Sequence, residues 1–311
     1  MEKEMIEKFS DDMFEKLPES EKNAEVLARP KVTYWSDAWR RFRQNKVAVL
    51  ALIILAVMVV MVIIGPMLTG YRFDKGDYKL KNALPSAAHL FGTDQLGRDI
   101  FTRIWVGGRI SIIIGLAGAL ISTVLGSIYG AFSAYAGGKV DNIMMRIVEI
   151  LSSIPYLLVV ILIQVVSQKR NLGSLLLALT ITGWVGMARM VRGQLLSLKN
   201  QDFIIAAQTL GVSTKDIVFK HMIPNTLSVL IVSLTFDIPG YIFAEAFLSF
   251  VGIGIASPMT SWGAMAAEAN QKFLFYPYQL FFPSLMIALT MLSFSLLGDG
   301  LRDALDPRMR E

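Results

Sequence analysis

Apolar residues in this chain gather into long runs separated by charged stretches. Val47–Ile64 is 18 consecutive apolar residues. A hydrocarbon core of roughly 30 Å needs about 20 such residues in a helix, so this run predicts a first membrane span. Ile110–Ala136 carries no charge and predicts a second. Ile150–Gln168, interrupted by Pro155, predicts a third, and Leu172–Ala188 a short fourth. Thr226–Val251 predicts a fifth although it holds Asp237 and Glu245, and Phe281–Gly298 predicts a sixth. The expected fold class is all-α: a polytopic membrane protein with six transmembrane helices.

The polar stretches divide the chain further. Residues 1–33, rich in Glu and Lys, are expected to form a cytoplasmic N-terminal tail without a cleavable signal. Residues 34–46, YWSDAWRRFRQNK, predict an interfacial amphipathic helix, with Tyr34, Trp35 and Trp39 at headgroup level and the arginines reaching phosphates. An ordinary aromatic and basic anchor for the first span fits the same residues. Then come a first span over 47–68, a loop with a short helix over 69–109, a core of five spans over 110–300, and a tail over 301–311.

Charge orients these pieces. Arg40, Arg41, Arg43 and Lys46 precede the first span. Arg189, Arg192, Lys199, Lys215 and Lys220 lie between the fourth and fifth, and Arg302, Arg308 and Arg310 follow the sixth. Six spans put all three groups on one side, which the positive-inside rule makes cytoplasmic, with both termini. The 69–109 loop also holds Arg98, Arg103 and Arg109, offset by Asp74, Asp77, Asp94 and Asp99, and falls outside.

Composition narrows the chemistry. The chain is 54% hydrophobic and carries a formal charge of +5, with mean hydropathy +0.51. In a membrane protein that charge reflects loop asymmetry, and no nucleic-acid partner is expected. Without cysteine there is no disulfide or thiolate chemistry. His89 and His221 are too few and too distant for a zinc site. The chain has no GxxxxGK[ST] phosphate loop and no HExxH.

One polar island stands out: DFIIAAQTLGVSTKDIVFKHMIPN, residues 202–225. Asp202 is placed to cap a first short helix, and Gly211 sits where a left-handed cap would end it. Ser213 with Asp216 resembles a capping box opening a second helix, which Pro224 is expected to break. Such a paired-helix loop suits docking onto another protein. Ala206, Ala207 and Gly211 would allow close approach, and Ile204, Leu210 and Ile217 would supply apolar contact.

The pattern AA…G…I…H..PN resembles the cytoplasmic coupling loop of ABC importer permeases. Further matches follow in order: FGTDQLGRD at 91–99, GGRISI at 107–112, ARMVRGQLLSL at 188–198, EAFLSFVGIG at 245–254, SWG at 261–263 and GDGLRDALDPR at 298–308. Together they resemble the peptide permease branch, its second membrane subunit, over most of residues 34–308. The resemblance implies a type I importer permease fold in the bacterial plasma membrane, with the coupling loop within 190–225. It implies as partners a second homologous permease, two cytoplasmic P-loop ATPases and an extracytoplasmic peptide-binding protein. It implies that ATP and magnesium are bound by the ATPases, and that this chain holds no cofactor, no metal and no catalytic residue. The coupling residues it implies are Ala206, Ala207, Gly211, Ile217, Pro224 and Asn225. Many permeases have Glu just before the paired alanines. Ile205 stands there here, so docking would rest more on packing than on charge.

Other residues admit two readings. Asp237 and Glu245, about two helical turns apart, either line a translocation path or make structural bonds, to Arg189, to another helix or to a partner. Pro239 and Gly240 between them would loosen the helix. Gly126 and Gly130, with Gly115 and Gly118, permit close helix packing, within the chain or against a partner subunit. Asp94, Arg98 and Asp99 would form an ion-pair network bracing an outer-face helix that continues through Phe101 and Trp105. The resemblance puts this element near the docking surface for the binding protein. GDGLRDALDPR is expected at the cytoplasmic interface.

The reading is therefore a permease subunit importing oligopeptides, with dipeptides or nickel chelates as rival substrates. A secondary transporter using Asp237 and Glu245 as proton sites would show inverted sequence halves, and none is visible. A membrane-embedded protease would need a metal motif or paired catalytic residues within spans.

Overall fold

The computed structural model describes residues 33–168 and 170–306. The tail expected at 1–33, save Thr33, and the basic residues Arg308 and Arg310 lie outside them. Eleven helices are labelled here: α1 Tyr34–Gln44, α2 Lys46–Leu68, α3 Ile100–Ala136, α4 Gly138–Ser153, α5 Tyr156–Ser167, α6 Leu172–Thr180, α7 Val185–Lys199, α8 Asp202–Thr209, α9 Ile223–Phe250, α10 Trp262–Asn270 and α11 Pro277–Leu305. A three-residue turn, Thr214–Asp216, and a π-helical segment, Ile217–Met222, lead into α9.

Among the described residues, four helices are long and apolar enough to cross a membrane: α2, α3, α9 (from Lys220) and α11. The third and fourth expected spans are each broken. α4 and α5 meet at 79°, and α6 and α7 at 45°. Counting each bent pair as one crossing gives the six expected spans. The first break follows from Pro155, which holds Ile154 extended at φ −87°, ψ 127°. The third span also begins earlier than its apolar run, because α4 starts at Gly138 and is amphipathic.

The second span is longer than its uncharged stretch. α3 runs 37 residues from Ile100, so residues 100–109 belong to it and not to the preceding loop. The expected outer-face helix through Phe101 and Trp105 is the first part of this same helix. Arg103 and Arg109, which looked like loop charges, find partners on neighbouring elements. Arg109 donates to the carbonyls of Val62 (2.8 Å) and Ile63 (3.1 Å) on α2. The loop before α3 has only a three-residue turn, Tyr78–Leu80.

The helix break expected at Pro224 does not occur. The π-helical turn passes directly into α9, with the Ile223 N–H bonded five residues back to the Val218 carbonyl. The wider π turn accommodates Pro224, whose missing N–H falls in the first turn of α9. Pro239 lies inside α9, which continues as one helix through Gly240.

Small residues set the helix spacing. A Cβ on Gly126 would lie 2.6 Å from the Trp184 carbonyl oxygen, and one on Gly130 would collide with the Ala188 carbonyl. The pair therefore packs α3 directly on α7, within the chain. Gly115 and Gly118 do the same against Ile242 and Tyr241 of α9. α10 was not expected from the sequence. Ser261 caps it, accepting from the Ala264 N–H at 3.1 Å, and buried Trp262 donates its indole N–H to the Ile104 carbonyl at 2.9 Å.

α1 lies against the end of α11. Phe42 is buried with Ala48 and Ala304, while Trp35 and Trp39 face outward. Tyr34, expected at headgroup level, instead donates its hydroxyl to the Leu305 carbonyl at 3.0 Å. Asp37 pairs with Arg40 and Arg41, and Arg43 stacks over Trp39. The 298–305 part of GDGLRDALDPR is the last stretch of α11.

Candidate functional site

The 202–225 loop is built on a left-handed turn. Gly211 has φ +77°. Its N–H bonds to the Gln208 carbonyl (2.9 Å) and the Val212 N–H to the Ala207 carbonyl (3.1 Å), the two-bond cap that closes a helix on glycine. Asp202 does not cap α8. It is the first helical residue, after Gln201, and makes no side-chain cap bond; its charge instead faces the positive end of the helix. Ser213 and Asp216 form half of the expected box. The Asp216 N–H donates to the Ser213 hydroxyl at 3.1 Å, and that hydroxyl donates to the Asp216 carboxylate at 2.8 Å. Lys220 lies 2.9 Å from the same carboxylate. The Lys220 contact first, and the Ser213 hydroxyl second, hold this carboxyl below its usual range.

The loop has two faces. Ile204, Ala207 and Ile217 are buried with Ala134 of α3 and Val191 and Leu195 of α7. Ile204 and Ile217 were expected to supply outward contact, and here they fix the loop to its own bundle. Leu210 is 83% exposed. Phe203, Ile205 and Ala206 are exposed beside it, as is Gly211. Phe203, Ala206 and Leu210 stand three and four residues apart and share one helical stripe. A Cβ at Gly211 would meet nothing within 4 Å. Pro224 and Asn225 are exposed, and the Asn225 amide donates to the His221 carbonyl at 2.6 Å.

The two intramembrane acids have different surroundings. Glu245 is fully buried and accepts from three hydroxyls: Ser249 (2.7 Å), Ser261 (2.6 Å) and Ser111 (3.1 Å). It joins α3, α9 and the cap of α10. Ser111 in turn accepts from the Trp262 N–H at 3.2 Å. Asp237 is half-buried, with no ion-pair partner among the described residues. Arg189 contacts neither acid; it donates to the Ser152 hydroxyl at 2.6 Å.

The start of α3 carries the ion-pair network. Asp94 accepts from Arg98 at 2.6 Å and from Arg103, and its other oxygen accepts the N–H groups of Leu96 (2.8 Å) and Arg98 (3.0 Å). Arg98 and Arg103 both reach Glu268 of α10, at 2.9 and 2.8 Å. Asp99 is not part of that network. It caps α3, accepting from the Thr102 N–H and hydroxyl at 2.7 Å each, and meets His89 at 2.9 Å. Sequence reasoning missed Arg103, Glu268 and the three serines. Arg103 lies one turn beyond Asp99, a spacing that could have linked it to the helix start. Glu268 carried no local signal.

The model of the binding-protein-dependent transport system inner membrane component matches residues 122–311. The chain belongs to this permease family. Residues 33–85 of the permease also match the N-terminal TM domain of oligopeptide transport permease C. It is 46% identical to the oligopeptide transport system permease protein OppC of Bacillus subtilis (strain 168), over 96% of this chain and 98% of that one. It is 48% identical to the dipeptide transport system permease protein DppC of the same organism, over 96% and 94%. Among solved structures, an inward-facing MetNI methionine ABC transporter chain aligns at TM-score 0.55 and 19% identity, over 66% of this permease and 96% of that chain. That likeness gives the type I ABC importer permease fold.

Proposed function

We propose that this permease is one of two membrane subunits of an ABC importer carrying oligopeptides across the bacterial plasma membrane. The carrying observation is the loop with one face locked into the bundle and the other, Phe203–Ala206–Leu210 with Gly211, left apolar and open. A rigidly held apolar stripe next to a bare glycine fits a groove on a separate ATPase. With no phosphate loop in the chain, ATP and magnesium belong to two such ATPases, so the loop and both termini face the cytoplasm. Nucleotide-driven closure would then move the loop, and the bundle with it, as a rigid body. A second homologous permease completes the path, and an extracytoplasmic peptide-binding protein delivers the solute.

Within this reading, Ala206 and Gly211 act at the docking face. Ala207 and Ile217 act behind it, by fixing the loop to α3 and α7. Pro224 and Asn225 shape the passage into α9. Glu245 serves as a structural anchor for α10, whereas half-buried Asp237 remains available to the path. Asp94 and Arg98 brace the extracytoplasmic end near the binding-protein surface, with Asp99 capping the helix beside them.

Dipeptides are the second reading, because the dipeptide permease is as similar as the oligopeptide one. The test is uptake of labelled pentapeptide, dipeptide and nickel in cells lacking this chain, restored with wild type or Gly211→Asp. Wild type should restore pentapeptide uptake; Gly211→Asp should assemble and hydrolyse ATP without uptake. Restoration of only dipeptide or nickel uptake would reassign the substrate. Normal transport by the variant would remove the coupling role.

A further inference from the structure

α4 is a helix with three distinct faces. Asp141, Met145, Val148 and Ser152 turn toward the bundle: Arg192 of α7 holds Asp141 through two 2.6 Å bonds, and Val148 is fully buried against Val185 and Ala188. Val140, Ile143, Ile147, Ile150 and Ile154 follow at alternating spacings of three and four, and all are 44–63% exposed. Asn142, Arg146, Glu149 and Ser153 make the third, polar face. The 79° bend at Pro155 turns α4 across the direction of α5, so the two halves of this bent pair do not both stand along the membrane normal. The height of α4 in the bundle follows from its contacts. Tyr129 of α3 donates to the Met144 carbonyl at 3.0 Å, and Ser133 bonds Asp141, both near the end of α3 that packs against the docking loop. A helix with this pattern, at the end of the bundle, has the form of an interfacial helix.

Between α4 and α7 is an open cleft of about 720 Å³, lined by Asn142, Arg146, Glu149, Arg189 and Arg192. Its three arginines differ in occupation. Arg192 is committed to Asp141. Arg146 is mostly exposed and, among the described residues, reaches only exposed Glu149, at 3.0 Å. Arg189 has a hydroxyl as its hydrogen-bond partner and no carboxylate within salt-bridge distance among the described residues. Ile143, a member of the exposed aliphatic stripe, also lines the cleft.

We infer that α4 lies in the inner membrane interface and that the cleft binds the phosphate of an anionic phospholipid. Arg189 and Arg146 hold the phosphate, and Ile143, Ile147 and Ile150 receive the acyl chains. Guanidinium forks match phosphate oxygens in geometry and charge, and an adjoining exposed aliphatic stripe gives the acyl chains a surface that a free anion would not need. Exposed Glu149 is displaced from Arg146 when the phosphate enters. The inference rests on the membrane reading and not on the substrate.

The test uses the transporter assembled with its partner subunits. It is reconstituted in nanodiscs of phosphatidylcholine with or without phosphatidylglycerol, then examined by native mass spectrometry for retained lipid. Wild type should retain phosphatidylglycerol selectively. Arg146→Gln with Arg189→Gln should lower its occupancy by roughly tenfold, the loss of about one charge-assisted hydrogen bond. Arg189→Lys should recover part of it. A photoreactive residue in place of Ile147 should label lipid. Equal retention by wild type and the double variant would overturn the inference, as would labelling of the second permease chain in place of lipid. Displacement of the lipid by excess inorganic phosphate would reassign the cleft to a soluble anion. Peptide uptake is not read out, so a wrong substrate assignment would leave these outcomes unchanged.

Discussion

The two ends of α3 solve opposite problems. At its start, charges are paired: buried Asp94, Arg98 and Arg103 pair with one another and with half-buried Glu268, and Asp99 caps the helix. At its other end, about 55 Å away for 37 residues at 1.5 Å each, the docking loop buries Ile204 and Ile217 and leaves Phe203 and Leu210 exposed. One end is complete within the chain. The other holds its backbone firmly while displaying apolar surface that the chain itself does not cover. Substitutions at the first end should therefore act on folding, and substitutions at the second on function with folding intact.

The sharpest break in that contrast is Arg103→Ala. It leaves Asp94 and Glu268 facing each other with one cation fewer, and removing one partner of a buried pair costs about 3–5 kcal/mol. Thermal unfolding of the purified complex should show it as a clear loss of stability. Arg103→Lys should fall between, because it keeps the charge but loses the fork that reaches both acids. If Arg103→Ala melts like wild type, the network is not what holds α3 to α10.

Between the ends, Gly130→Val tests the α3–α7 contact. The added side chain would drive into the Ala188 carbonyl, and overpacking of this kind costs about 1–3 kcal/mol. The loop rests on α7, so this variant should also loosen the loop, seen as faster hydrogen exchange over residues 202–222. Loss of stability with unchanged exchange there would separate the loop from the helix that carries it.

Leu210→Ser should cost the fold less than about 0.5 kcal/mol, as an exposed surface change. Uptake should nonetheless fall, with ATP hydrolysis retained. A substantially destabilised Leu210→Ser chain would show that the exposed face supports the loop, contrary to its 83% exposure.

How much of this was legible follows from which forces are local. Val47–Ile64 and Ile110–Ala136 announce themselves because hydropathy is a property of consecutive residues. Gly211 was legible because a left-handed cap is a one-turn event, and the Ser213–Asp216 contact because its partners are three residues apart. Arg103 and Glu268 were not: 165 residues separate them, and each alone looks like a surface charge. Glu245 was visible as an anomaly, but its three serines come from three elements, so only the fold shows the carboxylate to be an anchor. The same holds for Ile204 and Ile217. Both stood out as apolar residues in a polar island, and tertiary packing decided that they turn inward.

The smallest effect is also the one that best separates charge from shape at the loop. Asp216 is held below the ordinary carboxylate range, by Lys220 first and Ser213 second. A depressed folded value means that its contribution is fully present above the unfolded value, about 3.9, and is lost as pH falls through the folded value. The exposed pair with Lys220 adds little on its own. Asp216→Asn should therefore show slightly faster hydrogen exchange than wild type over residues 213–220 at neutral pH, and the two should converge as the solution is acidified past the carboxylate range. Convergence would mean that charge secures the start of the π-helical turn. A difference that persists in acid would mean that Asp216 works through its neutral hydrogen bond with Ser213, and the loop would then resemble the capped helix of Asp99 more than an ion-paired surface.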